Sequence, residues 1–309
     1  MQAARRVERR ATIWRLLLSA FVIAAAPAAR ADEPLVMHYV YNAPESPSDT
    51  RYAYHWKILQ TALEKTRANY GPYVLEPSRV MSERRQTYEL TNATGLLTVM
   101  YLSTTPELEQ TLIPVRIPVD RNLGGYGILL IRKQDRPRFD SVRTLDDLKR
   151  FSIGQGLGWI DIGILQGNGF RVVTGSSYEG LFEMLANGRF DVFLRGAVEI
   201  VDEFEQRRKS LPDLDIEPNL ILYYPLPMYF WFPKTPEGQR LAARAEAGMR
   251  KMIADGSYDR IFSEYQDYKI RRLKLQQRRI IRIGNPNLGP ETPIADSRLW
   301  FDPRTYRPH

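Results

Sequence analysis

Hydrophobic positions change their period several times along the chain, and each change marks an element. Leu35-Val-Met-His-Tyr-Val40 is a short apolar run of strand length that ends at Tyr41-Asn42-Ala43-Pro44. Ile58, Leu59, Ala62 and Leu63 then repeat with helical spacing and predict a helix with one buried stripe. Strand-like runs follow at Tyr73–Leu75, Leu96–Leu102 and Tyr126–Ile131. Thr144-Leu-Asp-Asp147 predicts a short helix, with a hydroxyl cap and an acidic residue three positions on. Phe151-Ser-Ile-Gly-Gln-Gly-Leu-Gly158 reads as a strand running into a glycine-rich turn. Ser176-Ser-Tyr-Glu179 opens another capped helix, with Tyr178, Leu181, Phe182 and Leu185 on one face and a stop at Asn187-Gly188. Arg189–Leu194 is a buried-type strand that leads directly into Arg195-Gly196. An aromatic run over Tyr223–Phe232 precedes Thr235-Pro236, which caps a long helix with Leu241, Ala245, Met249 and Met252 along one side. Strands alternating with helices predict an α/β fold with mostly parallel sheets, and ligands of such folds sit at the strand ends.

The first thirty-one residues follow different rules. Arg5, Arg6, Arg9, Arg10 and Arg15 precede a short apolar core, Leu16–Ala26, and then Ala29-Arg-Ala31. Basic region, apolar core and small-x-small site are the parts of a secretory signal peptide, so export to the periplasm with cleavage after Ala31 is expected. Removing residues 1–31 takes away six Arg and one Glu, and the formal charge falls from +8 to about +3. Much of the basic excess is therefore an export feature, and no nucleic-acid partner is expected. The basic segment Lys269–Arg282 is interleaved with Ile270, Leu273, Leu275, Ile280 and Ile281, as in a packed face with a solvated basic side. The chain has no cysteine, which excludes disulfides, thiol catalysis and thiolate metal sites. No metal-ligand spacing is present, and no cofactor is expected. About 278 mature residues suit two lobes better than one small core.

The order of elements resembles the type II bacterial extracellular solute-binding proteins, in the class that includes polar amino-acid receptors of ABC transporters. The resemblance rests on the crossing at Ile117–Lys133, on Leu145-Asp-Asp-Leu148 before Ile153-Gly154, and on Leu185-Ala-Asn-Gly-Arg-Phe-Asp191. Met249–Tyr258 ahead of Ile261-Phe262 looks like the closing helix pair, and the resemblance covers roughly residues 35–267. It implies two α/β lobes, a hinge of two crossing strands, and a ligand clamped between. The expected lobes are residues 32–122 with 229–283, and 123–228, followed by an extended Pro-rich tail over 284–309.

Two departures qualify the resemblance. The segment Ser103–Glu109 places Glu109 where the class has the Arg that pairs with an α-carboxylate. The Asp that receives the α-ammonium is replaced by Arg195-Gly196. A zwitterion loses both partners, so a small polar ligand with an anionic or carboxylate group, held by Arg195, is expected. The remaining expected contacts are Tyr41 at the end of the first strand, Ser103 and Thr104 at the end of the third, and the turn at Gln155, Gly156 and Gly158. The N–H groups of that turn suit an oxyanion. Trp159 and Tyr178 suit either core packing or ligand stacking, Asp161 either a helix cap or the cleft, and Glu199 stands ready to pair with Arg195.

Enzyme signatures are sparse. The histidines are His38, His55 and His309; His38 is expected to pack mid-strand rather than to act in catalysis, and His55 to lie on a helix surface. A dehydratase of prephenate-like acids on the same fold would need Glu109, Asp161 and Arg195 in one cleft. The expected protein is a monomer, not embedded in a membrane after cleavage, whose partner is an ABC permease or a membrane sensor.

Overall fold

The computed structural model describes residues 36–44 and 52–307, and the expected signal peptide lies outside the described residues. No helix among them is long and apolar enough to cross a membrane. Strand β1 (Met37–Tyr41) pairs in parallel with β2 (Tyr73–Pro77), with Met37 opposite Tyr73. Next come β3 (Met100–Ser103) and β4 (Leu112–Val115). A second region then follows, with β5 (Tyr126–Arg132), β6 (Ile153–Gly156), β7 (Val172–Gly175), β8 (Val192–Gly196), β9 (Leu214–Ile216) and β10 (Leu220–Tyr223). The chain returns as β11 (Met228–Pro233), which lies between β3 and β4. A last strand, β12 (Arg279–Arg282), goes back to the edge of the large sheet.

That large sheet has seven strands in the order β12-β10-β5-β8-β6-β7, with β9 also on β5. The pairs β1/β2, β6/β7, β6/β8 and β10/β12 are parallel. Each antiparallel pair involves β5 or β11, the strands that follow the two crossings. Such a strand enters its sheet from the opposite lobe and so runs against the βαβ units it joins. The sheets are therefore mixed, with parallel units around two reversed strands.

Local signals act largely as the sequence predicts. Ile58, Leu59, Ala62 and Leu63 are fully buried in the helix Ala53–Lys65. Thr144 and Asp147 form the reciprocal capping box. In the helix Tyr178–Ala186 the cap is Ser177, one residue later than Ser176, and Leu181, Phe182 and Leu185 are buried. Thr235 caps the helix Pro236–Ala254 with Pro236 in its first turn.

The two crossings lie side by side. The Val119 N–H donates to Met228 O at 2.9 Å, and the Tyr224 N–H to Gly125 O at 3.1 Å. Asn122 Oδ1 takes the Leu226 N–H at 2.6 Å. A third passage was not expected. The sequence reading placed residues to 283 with the first lobe, but after the helix Ser257–Leu273 the chain turns at Lys274 (φ 50°) and β12 pairs with β10. Arg278 fixes that turn, donating to the carbonyls of Leu273, Glu217 and Leu220.

Two further expectations are corrected. The tail does not simply lie extended on the surface, because Leu299, Phe301 and Tyr306 are buried in the main core. Aromatic side chains spaced among its prolines have apolar area to bury. His38 is exposed where packing was expected: β1 alternates, so Met37 and Tyr39 point inward and His38 outward.

Candidate functional site

A cavity of about 470 Å³ opens where the two sets of strand ends face each other. The first lobe contributes His55 and Trp56 from one helix, Glu83 from the start of the helix Glu83–Thr91, and Ser103 from the end of β3. Asp120, Gly124 and Tyr224 come from the crossings. The second lobe adds Gln155 to Asp161 after β6, Tyr178, and Arg195 from β8.

Of the residues singled out by sequence, the structure brings Ser103, Gln155, Gly156, Gly158, Trp159, Asp161, Tyr178 and Arg195 to this one cavity. Tyr41 and Thr104 are not on its wall. Tyr41 stands behind it with its ring on Trp56, centroids 4.6 Å apart, and Asn42 lines the cavity in its place. Thr104 is fully buried and donates to Glu109 Oε1 at 2.8 Å. Glu109 is likewise off the cavity, tied to Arg116.

Arg195 lines the cleft, but two of its three guanidinium nitrogens are already held by carboxylates. Nε and Nη2 reach Glu203 at 2.8 and 2.6 Å, and Nη2 also reaches Glu199 at 2.8 Å. Its guanidinium lies 4.9 Å from the Trp159 ring centre and 5.2 Å from that of Phe193. Tyr178 completes the group, donating to Glu203 Oε1 at 2.6 Å. Burial resists ionisation of Glu203, yet the Arg195 charge and the hydrogen bonds from Arg195 and Tyr178 hold its carboxyl below the usual range. This is a buried ion pair in which two carboxylates already balance the guanidinium, so Arg195 carries no uncompensated charge toward the cleft.

The turn after β6 is also committed. The Leu157 N–H donates to Gly175 O at 2.8 Å and the Trp159 N–H to Gly156 O at 3.0 Å. Trp159 folds back over the turn, and a Cβ on Gly156 would stand 2.3 Å from its ring. Gly156 is thus what lets the indole lie flat against the backbone. At the facing strand end, a Cβ on Gly196 would meet Gly124 O at 3.0 Å and Glu199 Oε2 at 3.5 Å.

Other polar groups in the wall lack partners. His55 Nδ1 and Nε2, Ser103 Oγ and Gln155 Oε1 are buried with no hydrogen bond among the described residues. Gln155 Nε2 donates to Leu194 O at 3.2 Å, which fixes the amide with its oxygen as the unsatisfied acceptor. His55 corrects the surface expectation: it is 4% exposed and stacks on Tyr101 with ring centroids 3.9 Å apart. Burial, with the nearby Lys269 charge, lowers its pKa to about 3, so the imidazole is neutral. Asp161 opens the helix Asp161–Gly167 and accepts the Tyr224 hydroxyl. Glu83, a residue that no sequence motif marks, has its pKa raised to about 7 by burial and by the Asp161 charge. The nearest local signal is Ser82, a hydroxyl cap directly before Glu83, whose Oγ accepts the Arg85 N–H.

No protein-family model matches the chain, and no curated protein matches it by sequence. Solved structures do match. The GluR0 ligand-binding core in complex with L-glutamate is similar with a TM-score of 0.55 at 13% identity, over 75% of this chain and 98% of that one. An ancestral arginine-binding protein bound to arginine gives 0.51 at 16%, over 74% and 97%. The substrate-binding protein of an amino acid ABC transporter gives 0.50 at 13%, over 75% and 100%. With two crossings, strand ends facing across a cavity, and these neighbours spanned almost end to end, the chain has the two-lobed type II fold of periplasmic binding proteins.

Proposed function

We propose that this protein is a periplasmic solute-binding protein that clamps a small polar ligand between its lobes and hands it to an ABC permease. The observation that carries the reading is the cavity wall, where buried polar atoms of three side chains, both ring nitrogens of His55, Ser103 Oγ and Gln155 Oε1, have no hydrogen bond among the described residues. A buried unpaired polar group costs about 1–3 kcal/mol, and a ligand that satisfies it recovers that energy. The groups come from both lobes, so one ligand that reaches them also holds the lobes together. The export signal read at residues 1–31 and the type II fold support a periplasmic site of action.

The anionic ligand expected from Arg195 is less well supported, because Glu199 and Glu203 already neutralise that side chain. The dehydratase reading loses its cast, since Glu109 is off the cavity and Arg195 is paired. Delivery to a membrane sensor uses the same clamp and differs only in the partner.

The test is release of bound small molecules from the natively purified protein by denaturation and their identification by mass spectrometry. Re-adding the released compound should raise the melting temperature and shrink the particle in solution scattering. A preparation with no released solute, and no compound from a broad polar library that raises the melting temperature, would refute the reading.

A further inference from the structure

Charge around the cavity is unbalanced in a way the solute-binding reading leaves unexplained. Among the described residues, four carboxylates line it, Glu83, Asp120, Asp161 and Glu199, against two guanidiniums, Arg84 and Arg195. Arg195 is held by Glu203 and Glu199, and Arg84 is exposed. Asp120 accepts the N–H groups of Asn122 and Gly124 at 3.0 and 2.8 Å and belongs to the crossing. Glu83 and Asp161 remain. Asp161 accepts only the Tyr224 hydroxyl, and the Glu83 carboxylate makes no hydrogen bond or ion pair among the described residues.

These two carboxylates belong to opposite lobes. Glu83 starts a helix between β2 and β3, and Asp161 one between β6 and β7. Ile160, next to Asp161, packs on the first-lobe cluster that holds Met81 and Met100, so the lobes touch beside the pair. Two carboxyl groups facing across a cleft repel each other when both are ionised, so either one keeps its proton or a positive group between them lets both ionise. The rest of the wall agrees independently. Gln155 Oε1 can only accept a hydrogen bond, and it is buried without a donor. Tyr52, Trp56, Tyr101, Trp159, Tyr178 and Tyr224 line the same space, and an aromatic wall suits an organic cation.

We propose that the ligand is a small organic cation with several N–H donors, whose positive group sits between Glu83 and Asp161 and so draws the lobes together. This rests on the solute-binding reading and adds the ligand's charge and the contact that closes the cleft. An amine or guanidinium satisfies both carboxylates at once, while its remaining donors and carbon chain reach Gln155 and the aromatic wall. An anion in the same place would be buried against two carboxylates.

Calorimetry on the purified protein with L-arginine, putrescine, L-glutamate and glutarate at equal ionic strength tests this. At least one of the two cationic probes should bind, and Glu83→Gln should weaken it tenfold or more. Asp161→Asn should weaken it similarly. The ligand-free melting temperature of Glu83→Gln should be unchanged or higher, which separates a lost contact from a damaged fold. Tighter binding of glutamate or glutarate, or equal affinity in wild type and Glu83→Gln, would overturn the inference and leave the solute-binding reading standing. Binding of none of the four probes would overturn it too, while the released-solute experiment judges the broader reading separately.

Discussion

Phe301 in the tail lies against Tyr126 at the start of the second lobe. The Tyr126 hydroxyl donates to Phe301 O at 2.8 Å, and the two rings meet edge to face with centroids 5.4 Å apart. Phe301 also stacks near Phe262 of the closing helix, and its N–H donates to Arg121 O at 2.7 Å in the first crossing. The tail thereby joins the hinge to both lobes. Truncating a fully buried Phe costs about 3–5 kcal/mol. Phe301→Ala should therefore lower the melting temperature by roughly 6–20 °C, at ~2–4 °C per kcal/mol for a domain of this class. A thermal melt by circular dichroism checks this, and a shift under two degrees would mean the tail is not part of the cooperative unit.

The Arg195–Glu203 pair should matter to folding more than to ligand choice. Removing one partner of a buried pair leaves the other charge uncompensated and costs about 3–5 kcal/mol, whereas replacing both by apolar residues is often near neutral. Arg195→Met alone should be strongly destabilising, and Arg195→Met with Glu203→Leu should recover most of the loss. Urea titrations of the two variants decide it. A folded, fully stable Arg195→Met that has lost only ligand affinity would return Arg195 to the ligand.

Stability should fall as pH rises across neutrality. Burial and the Asp161 charge raise the Glu83 pKa from 4.5 to about 7. Burial raises Asp120 from 3.8 to about 6, against the opposing N–H bonds from Gly124 and Asn122. Both folded-state values lie above the unfolded ones, so the folded protein holds protons that the unfolded chain releases. The resulting stability is fully present below about pH 4 and is lost as pH rises through about 6 and 7. His55, whose pKa burial lowers from 6.5 to about 3, opposes part of this because only the unfolded chain protonates it at pH 5. Ligand-free protein should still melt higher at pH 5 than at pH 8 by a few degrees, and Glu83→Gln should reduce or reverse the difference. Asp161 and Arg84 are the charged neighbours of Glu83 on the cavity wall, and a flat profile in the wild type would show that Glu83 is solvated.

Gly156 is predicted to set the position of the indole wall. A methyl group there would stand 2.3 Å from the Trp159 ring, so Gly156→Ala should displace it and open the stack with Arg195. Tryptophan fluorescence, compared with a Trp159→Phe reference, should shift to the red as the indole gains water. An unchanged spectrum would mean that the ring does not rest on the turn.

Much of the second lobe was legible because its signals are local. A capping box, a glycine turn and an apolar face each sit within a few residues of one another, and Thr144, Gly156 and Tyr178–Leu185 act as their spacing says. What was illegible depends on contacts distant in sequence. His55 looks like a surface residue on its own helix and is buried where Tyr101, from β3, stacks on it. Glu203 was within reach, since Arg195, Glu199 and Glu203 follow one another at intervals of four, but only Glu199 was read as the partner. The tail misled for a related reason: its prolines suggested an extended strand, and the burial of Phe301 and Tyr306 depends on a groove formed by other parts of the chain.

Gly196 limits what the cleft can become. The backbone of Gly124 passes so close to it that a Cβ there would sit 3.0 Å from the Gly124 carbonyl oxygen. A side chain at this position would need the crossing to give by a few tenths of an ångström, and that stretch is tied down by the hydrogen bonds of Asp120 to Gly124 and of Asn122 to Leu226. Any group grafted onto this strand end would press on the hinge before it could reach a ligand, so new recognition has to be built elsewhere on the wall.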